Sequence, residues 1–163
     1  MSLVVRKIEM AKWTQNNISS VDDVSADAVT NCMKTKNNTL SVWEIPGEAD
    51  IIDAVLAMAS QFDHPDTIDI AVLNRQEITD SGLVLQQIDG LTPFKAFVEK
   101  HRDIVNLTYG SLGIMASLIM DTIRREACRR FTKGDIKRLV NEAVSSGRIA
   151  IGDLKDGMKK ICV

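Results

Sequence analysis

Leu40-Ser41-Val42-Trp43-Glu44-Ile45, broken by Pro46-Gly47, leads into Glu48 to Ser60 and then, past a polar loop, into Thr67-Ile68-Asp69-Ile70-Ala71-Val72-Leu73. The first run is strand-like in its alternation and in its valine, tryptophan and isoleucine. In the second, Ile51, Ile52, Val55, Leu56 and Ala59 form an apolar helical stripe, headed by acids that suit the positive start of a helix. The third run reads as a mostly buried strand. A helix inside a connection of about twenty residues is what a right-handed crossover between parallel strands needs. The fold class expected from this stretch is therefore α/β or α+β.

Working outward, Val4 to Trp13 places Val4, Ile8 and Met10 on one face and Lys7, Glu9 and Ala11 on the other, a further half-buried strand with Arg6 as the exception. Ser25 can cap a short helix through about Lys34, closed by a Lys36-Asn37-Asn38 turn, so the first two strands read as joined by the same kind of crossover. Downstream, Asn74 with Glu77 three residues on caps a short helix ending near Ser81-Gly82, and Leu83 to Ile88 adds a short strand. The expectation is a small three- to four-stranded, partly parallel sheet with crossover helices.

Everything after Asp89-Gly90 reads as helix. Thr92-Pro93 is a cap with proline at the first helical position, and Ser111 to Arg130 gathers Leu112, Met115, Ala116, Ile119, Ile123 and Ala127 on one side. Thr132 with Asp135 opens the next helix, stopped by Ser145-Ser146-Gly147, and Asp153 to Ile161 forms a terminal one. The expected organisation is a small α/β subdomain at residues 1–90 and a C-terminal helical subdomain at 91–163.

Composition narrows the classes. With 163 residues, 45% hydrophobic and 26% charged, the chain can bury one good core or two small ones. Arg6 and Lys7 interrupt the opening apolar run, which argues against a secretory signal, and Ile104 to Met120 is too polar and slightly short for a membrane span. Cys32, Cys128 and Cys162 lie far apart and form no Cys-x-x-Cys motif; a reducing cytoplasm fits them best. His64 and His101 lack the spacing of paired metal ligands, so no metal and no cofactor is expected.

Charge is the strongest functional signal. Residues 1–100 carry 8 Lys+Arg against 15 Asp+Glu, and residues 101–163 carry 12 against 7, giving halves of −7 and +5. Much of the excess sits in Arg124, Arg125, Arg129, Arg130, Lys133, Lys137 and Arg138; helical spacing sets Arg124, Arg125 and Arg129 on an outward arc of one helix and Lys137 and Arg138 on the outward side of the next. Such a face could bind a protein partner or the phosphates of a nucleic acid. The acids at pairing distance, Asp121, Glu126 and Glu142, instead describe a solvated, salt-bridged surface, and docking on the acidic N-terminal half is a further possibility. No helix-turn-helix spacing or aromatic platform supports reading of bases.

No catalytic residue is assigned. His64 has acids beside it but no nucleophile elbow elsewhere, and His101 reads as a solvated helix end. In open parallel sheets ligands bind outside the carboxyl ends of strands, which here carry Asn16, Glu44, Asn74 and Arg75 as a possible ligand edge. The function expected is a non-enzymatic cytoplasmic binding or assembly module acting through its helical part. Protein partners or self-association are favoured over nucleic acid, no membrane is involved, and a small-molecule enzyme at the sheet edge is the remaining alternative.

Overall fold

The computed structural model describes residues 2–14 and 19–162. In chain order the elements are β1 (Leu3–Ile8), α1 (Met10–Trp13), α2 (Ala26–Cys32), β2 (Leu40–Ile45), α3 (Ile51–Ala59), β3 (Ile68–Asn74), α4 (Arg75–Asp80), β4 (Val84–Gln87), β5 (His101–Val105), α5 (Tyr109–Arg124), β6 (Cys128–Phe131), α6 (Lys133–Ser145) and α7 (Asp156–Lys159). The strands form one sheet in the order β4-β5-β2-β1-β3-β6, with every neighbouring pair antiparallel.

The class is α+β, and the expected three- to four-stranded, partly parallel sheet is corrected to six antiparallel strands. β2 and β3 do run in the same direction, because each is antiparallel to β1, and α3 carries the chain between them. β1, however, lies in the gap. A helical crossover between two parallel strands leaves open whether a third fills the space between them. The β1 to β2 connection also carries a helix, yet those strands are antiparallel, with Val5 opposite Trp43.

The stretch expected to be wholly helical after residue 90 contributes β5 and β6, which pair with β2 and β3. Strands from both sides of Asp89-Gly90 thus interleave in one sheet. Their sequences, His101-Arg102-Asp103-Ile104-Val105 and Cys128-Arg129-Arg130-Phe131, are short and charged, which hides the period-two pattern of a strand. The long helix ends at Arg124 instead of Arg130, because Glu126 takes a left-handed conformation (φ 55°) and turns the chain into β6.

Side chains alternating along each strand build two cores, one on each face. On one, Val5, Trp43, Ile45, Ile68 and Ile70 pack against α3, α6 and α7; on the other, Val4, Ile8, Val42, Leu73 and Ile104 pack against α1, α2, α4 and α5. The result is three layers. Several caps lie where their residue types require: Ser25 accepts from the Ala28 N–H, Asn74 from the Gln76 N–H, and Thr132 and Asp135 form a reciprocal box. Thr92 is buried, where it donates to the Ala57 carbonyl at 2.8 Å and accepts from the Phe94 N–H at 3.2 Å; the turn that follows it is 3-10, at Lys95–Lys100.

Candidate functional site

The basic residues expected on two adjoining helices are divided among three elements, because a strand lies between the helices. Arg124 and Arg125 end α5, Arg129 and Arg130 sit on the edge strand β6, and Lys133, Lys137 and Arg138 lie on α6. As neighbours on a strand, Arg129 and Arg130 point to opposite faces of the sheet. Arg129 meets Glu48 at 3.1 Å, and Arg130 forms a two-pronged contact with Asp69 at 2.7 and 2.9 Å. Arg125 grips Glu77 in the same way at 2.8 and 3.0 Å. Arg124 reaches Asp121 and donates to the Ser19 carbonyl, while Arg138 lies between Asp135 and Glu142. Lys133 and Lys137 are exposed and have no ion pair among the described residues.

Glu48, Asp69 and Glu77 all belong to the acidic first hundred residues. Most of the arginine charge therefore docks within the molecule. The Asp69 carboxylate is 6% exposed, also accepts the Met10 N–H at 3.0 Å, and is held below the usual carboxylate range chiefly by the hydrogen bonds from Arg130. Arg125 lowers Glu77 likewise. On β6, burial pushes the Cys128 thiol up to about 11, with the Asp69 charge adding to the effect.

Of the expected ligand edge, Asn16 lies outside the described residues, and Glu44, Asn74 and Arg75 meet where β2 and β3 end. Arg75 and Arg102 each place Nε 2.9 Å from a different oxygen of Glu44, and the Ser2 hydroxyl donates to the same carboxylate. Asn74 caps α4. Glu44 thus stands between two guanidiniums as a structural clamp. The rule that led to this edge concerns parallel sheets, whereas here adjacent strands end alternately on opposite sides.

Sequence reasoning missed a different place, the β4–β5 end of the sheet. A cleft of about 360 Å³ lies there, walled by Trp43, Phe62, Ile88, Leu91, His101 and Asp103. His101 caps the end of the 3-10 turn Lys95–Lys100 and starts β5; its ring is largely covered and packs edge-on against Trp43 at 5.0 Å between centroids. Its Nδ1 lies 2.9 Å from the Ile88 carbonyl, an acceptor only, so Nδ1 carries a proton and Nε2 faces Asp103 at 3.8 Å. Ser41 donates to Asp103 at 3.2 Å and not to the imidazole, so this trio is not a nucleophile held by its base. Arg6 donates to the Cys32 and Ser41 carbonyls, which makes it a brace between β1, β2 and α2. Among the described residues no cluster of three or more His, Cys, Asp or Glu side chains could hold a metal. The alternation of His101 and Asp103 around Arg102 was the available signal.

The loop that follows β4, through Ile88, Asp89 and Leu91, borders this cleft, and β4 itself is one edge of the sheet. Residues 81 to 88, Ser-Gly-Leu-Val-Leu-Gln-Gln-Ile, contain no charge and no proline. Val84 is 52% exposed and Ile88 40%, and among the described residues no hydrogen bond from any element other than β5 reaches the β4 backbone. Every second residue of the strand consequently presents its N–H and C=O outward. No known protein family, curated protein or solved structure matches this chain.

Proposed function

We propose that the protein is a non-enzymatic binding or assembly module, working in the cytoplasm, whose contact surface is the open β4 edge. The observation that carries this reading is the difference between the two ends of the sheet: β6 is shielded by paired arginines, and β4 offers an uncharged, half-apolar row of unpaired backbone groups. Edges left in that state accept an added strand, main-chain hydrogen bonds supplying affinity and alternate side chains specificity. The described residues include no helix long and apolar enough to cross a membrane.

This reading moves the contact away from the helical part. Arg125, Arg129, Arg130 and Arg138 each face a carboxylate, which reduces the field that a nucleic acid or acidic partner would meet. The deciding experiment compares two variants of the full chain in its native host, Gln86→Lys on β4 and the double variant Lys133→Glu, Lys137→Glu on α6. Loss of the native-size complex with Gln86→Lys alone supports the edge. Loss with the α6 variant alone, most of all with steep salt dependence, returns the contact to the basic helix.

A further inference from the structure

We infer that the strand added to β4 is the β4 of a second copy of this chain, giving a closed two-fold dimer with one continuous sheet. The inference rests on the reading of β4 as the open edge and names its occupant. The reason is self-complementarity. Val84 pairs with Val105, and Gln86 with Asp103, a residue of the cleft; Ile88 lines the same cleft, so Val84, Gln86 and Ile88 share that face of the sheet.

Two antiparallel copies related by an axis perpendicular to the sheet must match residues of the same face. An axis through Gln86 satisfies this, setting Gln86 against its own copy, Leu85 against Gln87, and each exposed Val84 against the exposed Ile88 of the other copy. The two large apolar side chains left open on this edge cover each other twice, an amide pair lies on the axis, and no charge meets a like charge.

The opposite edge explains why such assembly closes. At β6 a similar pairing would bring Arg129 or Arg130 against its own copy, although each is already held by Glu48 or Asp69. Only one edge per chain is open, so pairing ends at two copies and does not run on into a fibre. A four-residue strand spans about 13 Å, which places the contact among small, reversible interfaces with a dissociation constant on the order of tens of micromolar.

The test is sedimentation of the full chain from about 1 to about 300 μM, a range that brackets that constant, together with amide exchange at β4. The expected result is a concentration-dependent dimer that protects β4 amides and that Gln86→Lys weakens more than about tenfold, two ammonium groups then facing each other on the axis. Oxidation of Gln86→Cys should cross-link the dimer, since opposed Cα atoms about 4.5–5.5 Å apart suit a disulfide. Gln87→Cys and the unsubstituted chain, with Cys32 buried and Cys128 and Cys162 partly so, should not cross-link. A dimer insensitive to Gln86→Lys and without the Gln86→Cys cross-link overturns the inference. A monomer at every concentration with fast β4 exchange also overturns it but leaves the open-edge reading standing. A monomer whose β4 amides are slow to exchange overturns both.

Discussion

The two edges of this sheet solve the same problem in opposite ways. β6 presents Arg129 and Arg130, each tied to a carboxylate of the N-terminal half, and is flanked by the capped start of α6. β4 presents valine, leucine and two glutamines with no charge at all. A bare edge invites pairing and aggregation, so a chain that protects one edge and leaves the other open separates a structural boundary from a contact surface. The charge asymmetry of the sequence belongs to the protected boundary. It identifies where the molecule is sealed, and the contact surface proposed above lies where charge is missing.

The largest effect expected from breaking this comparison lies on the sealed side. Asp69→Ala removes the partner of Arg130 and the acceptor for the Met10 N–H together, with Asp69 itself buried. Loss of such charge-assisted bonds should cost about 3 kcal/mol, moderated because the guanidinium remains half in solvent, and should lower Tm by roughly 6–12 °C. Calorimetry measures it. A change below about 1 kcal/mol would show that β6 is held by its backbone ladder alone.

Gly90→Ala should come next. The residue closes the loop after β4, its N–H bonds the Val98 carbonyl, and a Cβ there would stand 2.5 Å from Trp43 Cη2. Neither the indole nor the neighbouring His101 can withdraw without opening the cleft, so destabilisation of about 2 kcal/mol is expected, read by chemical unfolding. Tryptophan fluorescence should shift with it, since Trp43 is buried in the parent chain.

Acid should loosen the sealed edge selectively. Asp69 and Glu77 both titrate below their ordinary values in the folded state because Arg130 and Arg125 bond their charged forms. A depressed folded pKa contributes stability that is fully present above the unfolded value, about 4, and is lost as pH falls through the lower folded value. Asp69→Asn and Glu77→Gln should therefore each flatten the fall of stability below about pH 4, Glu77→Gln by less because its pair is exposed. Thermal melts between pH 2 and pH 7 test this, and parallel curves for variants and parent would remove both pairs from the acid response.

Much of the local structure was legible in the residues. Ser25, Asn74 and Thr132 cap helices for the reason their short polar side chains announce, and the apolar stripes of α3, α5 and α6 face the cores. Sheet order was not legible, because a helix in a connection settles neither direction nor adjacency: β1 and β2 are joined through a helix and are antiparallel, and β1 between β2 and β3 leaves no local trace. β5 and β6 were hidden because charged residues interrupt them, half-buried in β5 and exposed in β6, so hydrophobic periodicity had almost nothing to register in strands of five and four residues. His101 was lost with β5. The uncharged run of β4 was visible as a short strand, but its meaning depends on its being an edge, which is a property of the assembled sheet.

The smallest expected effect is on the open side, and it sharpens the comparison most. Gln86 and Val84 are exposed, and neither side chain makes a hydrogen bond or ion pair among the described residues. Placing lysine at either position should change the stability of the isolated chain by no more than about 0.5 kcal/mol, as for other surface sites away from special contacts. Unfolding at low micromolar concentration, below the association range, measures that value without the contribution of binding. A conservative, well-formed edge would behave in this way, whereas a loss of 2 kcal/mol or more would mean that β4 is packed as tightly as β6. The same substitution that leaves the folded chain undisturbed should abolish pairing through the edge. That separation of stability from association is the physical signature of a strand kept for contact.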